Sequence, residues 1–223
     1  MRVIKIGNKR KESIAEAVCL LRKGGILVYP TDTAYALGCD AFNKSAQADI
    51  FKIKRRVFKK PLPLIAANAA MVRKFCQMDK LSSKLAKKYW PGALTLVLAI
   101  DRARTPIAIG VRALSQQKTI AIRVSDCKVA RLISQKLGRP IVSTSANLTG
   151  QPPCYSVVEV LRQLGRKAGK IDLILDGGKL PKKKSSTIVR VINGKIEVIR
   201  QGVIKLKSQM SKFKTTTQNP KTN

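Results

Sequence analysis

Residues 24–33 read Gly-Gly-Ile-Leu-Val-Tyr-Pro-Thr-Asp-Thr. The paired glycines close a preceding helix, because glycine adopts the left-handed backbone on which helices end. Ile26–Tyr29 is a short apolar run of strand length, and Pro30 stops it. The chain then enters Thr31, Asp32 and Thr33. Ligands of α/β sheets bind beyond the ends of strands, so hydroxyls and a carboxylate here are candidate site residues. The same residue types also favour a plain turn, and both readings stand on this segment alone.

Working outward, strands and helices alternate. Upstream, Val3–Ile6 reads as a strand. Ser13-x-x-Glu16 reads as a capping box ahead of a helix with Ile14, Val18 and Leu21 on one face. Downstream, Asn43 caps a helix reaching Lys54, Leu62–Ala66 is a strand, and Asn68 and Asp79 cap two further helices. The second of these ends where Trp90-Pro91-Gly92 breaks it. Leu94–Ile100 and Thr119–Val124 are strands, the latter with Ile120, Ile122 and Val124 on one side. Asp126 opens a helix ending near Gly138, and Pro140–Val142 is a strand leading into Ser143-Thr144-Ser145-Ala146-Asn147. Ser156–Leu164 is helical, and Ile171–Leu175 is a strand. Asn193-Gly194 joins Thr187–Ile192 to Lys195–Ile199 as a hairpin. The pattern predicts a single α/β domain over residues 1–204, built on a mixed, twisted, open sheet with flanking helices. Residues 205–223, rich in lysine and without an acidic residue, read as a basic disordered tail.

Composition narrows the chemistry. The 223 residues are 44% hydrophobic, enough for a sizeable core. No apolar stretch approaches the ~20 residues of a membrane helix. The first residues lack the apolar run of a signal peptide, which predicts a cytoplasmic protein. The five cysteines are widely spaced without a C-x-x-C, which argues against a disulfide framework or zinc site. Histidine is absent, which excludes Ser-His-Asp and Cys-His catalysis and every histidine metal site. Lys and Arg total 45 against 12 acidic residues, a net charge of +33. That excess fits a polyanionic partner or phosphate-rich ligand; a proteome-wide lysine bias is the alternative.

Four further constellations carry possible chemistry. Lys54 and Arg56 can place two cations on one phosphate chain, or form part of a solvated basic face. Ser143, Ser145 and Asn147 suit phosphate or ribose recognition, or satisfy their own backbone. Arg123 stands inside an apolar strand, where a guanidinium needs a carboxylate partner, internal or from a ligand. Ser185-Ser186-Thr187 follows Asp176-Gly177-Gly178, with Arg200 beyond the hairpin. No G-x-x-x-x-G-K-[ST] phosphate loop and no G-x-G-x-x-G turn after a strand is present.

In this order, GGILVYPTDTAYALGCDA, KIKRR with KKPLPLIA, KYWPGALTLVL, TIAIRV, PIVSTSAN, DGG, and SSTIV with IRQG resemble the YrdC-type L-threonylcarbamoyladenylate synthases. The likeness runs from about Gly7 to Val203. Its hallmark is K-x-R followed far downstream by S-x-N, here Lys54, Arg56, Ser145 and Asn147. The resemblance implies an open α/β twisted sheet around a large basic cavity. It implies that threonine, bicarbonate or CO2, and ATP carried with Mg2+ give threonylcarbamoyl-AMP and pyrophosphate, activating the group that a downstream transferase places on tRNA. Lys54, Arg56, Ser145 and Asn147 would be the catalytic, nucleotide-holding set, with Thr119, Pro153 and Arg200 also on the nucleotide. Thr31, Arg123, Ser143 and Ser186 would line the threonine pocket, Arg123 on the carboxylate. No protein metal ligand is implied. Ala36 stands where the family has Gly and Val57 where it often has Pro; the long form's second domain is missing, so the chain resembles the short form. Two rivals share the fold: a carbamoyl-AMP-forming domain, and an RNA-binding or ribosome-assembly protein without the chemistry.

Overall fold

The computed structural model describes residues 1–7, 10–56, 62–101, 103 and 119–208. In chain order the first half comprises β1 (Arg2–Lys5), α1 (Arg10–Arg22), β2 (Leu27–Pro30), β3 (Tyr35–Gly38), α2 (Lys44–Lys54), β4 (Leu64–Ile65), α3 (Ala69–Phe75), α4 (Lys80–Tyr89) and β5 (Leu94–Ala99). The second half comprises β6 (Thr119–Arg123), α5 (Lys128–Leu137), β7 (Ile141–Val142), β8 (Thr144–Ser145), α6 (Val157–Leu164), a 3₁₀ turn at Gly165–Lys170, β9 (Leu173–Asp176), β10 (Thr187–Ile192) and β11 (Lys195–Arg200).

The mixed α/β class holds, but the strands fall into two sheets rather than one. The first has the order β1-β9-β2-β3-β8 and the second β11-β10-β5-β6-β4-β7. The chain passes between them at Ser143, since β7 belongs to the second sheet and β8 to the first. Both sheets are mixed, with parallel pairs (β1/β9, β2/β9, β10/β5, β4/β6) beside antiparallel ones (β2/β3, β3/β8, β4/β7, β5/β6, β10/β11).

Helix periodicity explains the layers. Ile14, Val18 and Leu21 on α1 and Val129, Ile133 and Leu137 on α5 recur at helical spacing and are buried with Leu27, Tyr29, Leu173 and Leu175 of the first sheet. A larger cluster joins Ile50, Phe51 and Ile53 of α2 and Val160 and Leu164 of α6 to Leu94, Leu96, Leu98, Ile120 and Ile122. Each such side chain contributes roughly 1.5–3 kcal/mol by leaving water.

Three local expectations change. α1 begins at Arg10, so Ser13 lies inside it, buried, and is not its cap. β2 continues through Pro30, which pairs with Tyr35 of a strand the sequence did not reveal; β9 pairs only with Leu27 and Val28, so no bond on that side needs the missing N–H. α5 starts at Lys128 behind Cys127, two residues later than Asp126. Asn43, Asn68 and Asp79 cap their helices as read, while Ser156, read as the first helical residue, caps a helix that begins at Val157. Leu206 packs on the larger core cluster and Ser208 donates to the Ile196 carbonyl, so the first residues of the expected tail lie against the domain. Val57 and the rest of the tail, 209–223, fall outside the described residues.

Candidate active site

Alternation in the second sheet builds one wall of a cavity. Leu94, Leu96 and Leu98 of β5 and Ile120 and Ile122 of β6 point into the core. The residues between them, Thr95 and Val97, and Thr119, Ala121 and Arg123, line the cavity instead. Ile188 and Arg190 of β10 extend the same face, and the register sets Ile188 opposite both Thr95 and Arg200. This answers how Arg123 can sit in an apolar strand: its neighbours face the core while it faces the cavity.

The opposite wall comes from the first sheet and the crossover. Thr31, Thr33, Tyr35 and Ala36 arrive from the β2–β3 turn, and Ser143, Thr144 and Ser145 from the passage between sheets. Arg56, Pro153, Lys183 and Ser186 close the remainder around a volume of about 760 Å³. That is within the range of small-molecule sites. Of the residues singled out from sequence, Arg56, Ser145, Thr119, Pro153 and Arg200 therefore reach one cavity together with Thr31, Arg123, Ser143 and Ser186.

Lys54 and Asn147 do not line it. Lys54 is only 2% exposed. Its Nζ donates to the carbonyls of Ser145 and Asn147, the latter at 2.7 Å, and to Asn147 Oδ1 at 3.0 Å. Asn147 Oδ1 also accepts from Ser145 Oγ at 2.5 Å. Lys54 thus ties the S-x-N loop to the end of α2 from behind the wall. Burial, helped by the Arg56 charge, pushes its pKa down to about 7. Arg55 ends α2 in the left-handed region, φ 49°, and so turns Arg56 out of the helix and toward the cavity. Desolvation lowers the Arg56 pKa as well.

Arg123 finds an internal carboxylate. Nη1 donates to Asp32 Oδ1 at 2.8 Å and Oδ2 at 2.9 Å, and Nη2 to Thr33 Oγ1 at 3.4 Å. Ser125 Oγ donates to the same Asp32. Thr31 shapes the turn that presents Asp32: its hydroxyl donates to the Ala34 carbonyl at 2.6 Å and accepts from the N–H groups of Thr33 and Ala34. The segment forms the turn read from its residue types, and Thr31 and Thr33 line the cavity wall.

Two features escaped the sequence. Thr95 Oγ1 lies 2.9 Å from Ser186 Oγ, pairing two buried hydroxyls across β5 and the approach to β10. Only their positions on opposing strands reveal it. Gly202 lies against the Ser185 carbonyl, and a Cβ there would stand 2.6 Å from Ser186 C and 2.7 Å from Thr187 N. Arg200 holds the same segment by donating from Nη2 to the Ser186 carbonyl at 2.8 Å. Burial, and secondarily Arg123, lowers the Arg200 pKa.

Among the described residues no group of three or more His, Cys, Asp or Glu side chains is arranged to hold a metal, and no helix is long and apolar enough to cross a membrane. The site is a cavity of guanidinium groups and hydroxyls. Such a lining can bind phosphates and carboxylates and stabilise charge moving between them.

Comparisons with known proteins bear on this arrangement. The family model described as Sua5_yciO_yrdC, Telomere recombination, matches residues 19–202. A threonylcarbamoyl-AMP synthase of Photobacterium profundum is 35% identical over 169 residues, covering 74% of this chain and 87% of the relative. The crystal structure of P. abyssi Sua5 complexed with L-threonine superposes with a TM-score of 0.80 at 28% identity, over 91% of this chain and 58% of that one. E. coli YciO gives a TM-score of 0.78 at 28% identity, over 92% of this chain and 98% of its own. The chain spans less than two thirds of the P. abyssi protein but nearly all of the E. coli one. On the family match across most of its length, the chain belongs to the Sua5/YciO/YrdC family.

Proposed function

We propose that this chain is an L-threonylcarbamoyl-AMP synthase, a nucleotidyltransferase that joins threonine, bicarbonate or CO2, and ATP, and releases pyrophosphate. The observation that carries the reading is the single cavity in which Arg56, Arg123 and Arg200 converge with the hydroxyls of Thr31, Ser143 and Ser186. The name shared by curated relatives supports it.

The chemistry requires no protein nucleophile. The threonine amine attacks the carbon of CO2, or of bicarbonate with loss of water, and loses a proton to give a carbamate. A carbamate oxygen then attacks the α-phosphorus, the bond to the bridging oxygen breaks, and pyrophosphate departs. What the protein supplies is placement and charge. Arg56 and Arg200 take phosphate oxygens, with Thr119, Ser145 and Pro153 against the nucleotide. Arg123 takes the threonine carboxylate while Asp32 fixes its plane, and Thr31, Ser143 and Ser186 contact the amino acid. Lys54 and Asn147 hold the Ser145 loop in position. Among the described residues no carboxylates group into a metal site, and Mg2+ would be held by the nucleotide's phosphates and enter with it. The product's mixed anhydride suits it to a transferase that passes the threonylcarbamoyl group to tRNA.

Pyrophosphate release tests the reading. It should require threonine, bicarbonate and ATP together, and equal release with serine would remove threonine as the substrate.

A further inference from the structure

A second recess shares no lining residue with the cavity. It lies beyond the carboxyl ends of the parallel strands β4 and β6, between α3, α4 and α5, and encloses about 790 Å³. Crevices at such strand ends are the usual ligand positions in open α/β sheets. Its floor is apolar, formed by the buried Ala67, Ala86 and Val124, with Trp90 and Pro91 adding apolar surface nearer solvent. Its rim carries Arg73, Lys84, Lys87 and Arg131.

The rim is organised by the helix repeat. Lys80, Lys84 and Lys87 follow an i, i+4, i+7 spacing along α4, all exposed, while Ser82, Leu85 and Ala86 are buried behind them. At 1.5 Å per residue the stripe runs ~10 Å, the reach of two or three phosphates along a strand. Acidic groups near it are few. Asp126 stands 3.6 Å from Arg131 and is itself largely exposed. Asp79 caps α4 by accepting from Ser82 N at 2.6 Å, at the helix end away from Trp90. Trp90 donates its indole N–H to the Leu94 carbonyl at 2.7 Å, so its polar edge is used internally and the partly exposed remainder is carbon.

A partly exposed aromatic ring beside a row of cations is an arrangement that takes single-stranded nucleic acid: a base stacks on the ring and phosphates meet the charges. An acidic peptide would use the cations but leave the apolar floor without a complementary group. We propose that this recess binds a single-stranded segment of nucleic acid, with a base on Trp90 and phosphates on Arg73, Lys84 and Lys87. The inference does not depend on the activity of the cavity.

The chain contains one tryptophan, so intrinsic fluorescence reports on this recess directly. Titrating the full-length protein with a ten-nucleotide oligouridine should change the Trp90 emission, with an affinity that falls steeply with salt. A Lys84→Glu/Lys87→Glu variant should bind about ten-fold or more weakly, and Arg73→Glu should also weaken binding. A charge-matched control on remote exposed lysines, Lys5→Glu/Lys195→Glu, should stay within about three-fold of the parent. Pyrophosphate release by all these variants should be unchanged. An unchanged emission, equal weakening in groove and control variants, or an equal emission response to polyglutamate would overturn the proposal. The first removes the site, the second reduces it to net charge, and the third assigns it to an acidic protein partner.

Discussion

Arg123 and Asp32 face each other as a two-point ion pair across the cavity wall, with Nη1 2.8 Å from one carboxylate oxygen and 2.9 Å from the other. Both side chains are almost sealed, at 8% and 11% exposed. A pair so placed resists the loss of either partner, because the survivor is a buried charge without a counter-ion, at a cost of about 3–5 kcal/mol.

Asp32→Asn and Arg123→Leu should therefore each melt early, by roughly 6–20 °C for a chain of this size. The double variant should recover most of that loss, because it leaves no uncompensated charge. Threonine dependence separates structure from recognition: it should be raised far above the ATP dependence in both proteins lacking Arg123, the stable double variant included. A double variant with recovered stability and ordinary threonine dependence would make the pair purely structural.

Arg56 reaches the cavity where Lys54 does not, so the two halves of the K-x-R motif should fail differently. Arg56→Ala should lower turnover about ten- to a hundred-fold, the loss of one charge-assisted phosphate contact of ~1.5–3 kcal/mol, and should leave the melting temperature within a few degrees. Lys54→Ala should lower both, since it frees the carbonyls of Ser145 and Asn147 from their donor. Matching losses of stability in the two variants would place Arg56 in the scaffold as well.

Much of this was legible in the sequence because it rests on local rules. The alternation in Thr119–Val124 separated Arg123 from its core neighbours, and side-chain caps at Asn43, Asn68 and Asp79 marked helix starts. What was not legible depends on pairing across long separations. The turn residues ahead of β3 were legible, but the four-residue strand itself exists because it pairs with both β2 and β8. β8 is two residues long and is defined by Tyr35–Gly38 opposite it. The division into two sheets follows from those pairings. Asp32 as the partner of Arg123 is a contact between residues 91 positions apart. Lys54 turning away from the cavity follows from the same kind of contact, with a loop more than 90 residues downstream.

Gly202 should tolerate no side chain. Its N–H donates to Thr187 Oγ1 at 3.0 Å, and a Cβ would meet backbone of Ser186 and Thr187, which cannot rotate away. Gly202→Ala should thus displace the segment carrying Ser186 from the cavity wall. A loss of about 1–3 kcal/mol by denaturant unfolding is expected, as for overpacking generally, together with a raised threonine requirement. Wild-type behaviour in both measurements would show that the approach relaxes at no cost.

The Lys54 ammonium gives the protein a pH dependence of known sign. In the folded chain burial brings its pKa to about 7, against 10.5 for a free lysine. Between those values the unfolded chain binds the extra proton and the folded chain does not. Stability therefore rises with pH across that window, and below about pH 7 this group adds no slope because both states are protonated. One full proton corresponds to about 1.4 kcal/mol per pH unit at most. The buried thiols act in the opposite sense, since burial raises Cys39 and Cys76 above the 9.0 of a free thiol. Their effect begins only as the unfolded thiols ionise, so the clean interval is about pH 6.5 to 8.5. Urea unfolding of the wild type over that interval should show stability increasing by about 1 kcal/mol or more relative to Lys54→Met, whose side chain has similar length and no charge. Parallel curves for the two proteins would mean that Lys54 stays protonated throughout, held by its three oxygen acceptors against the pull of burial.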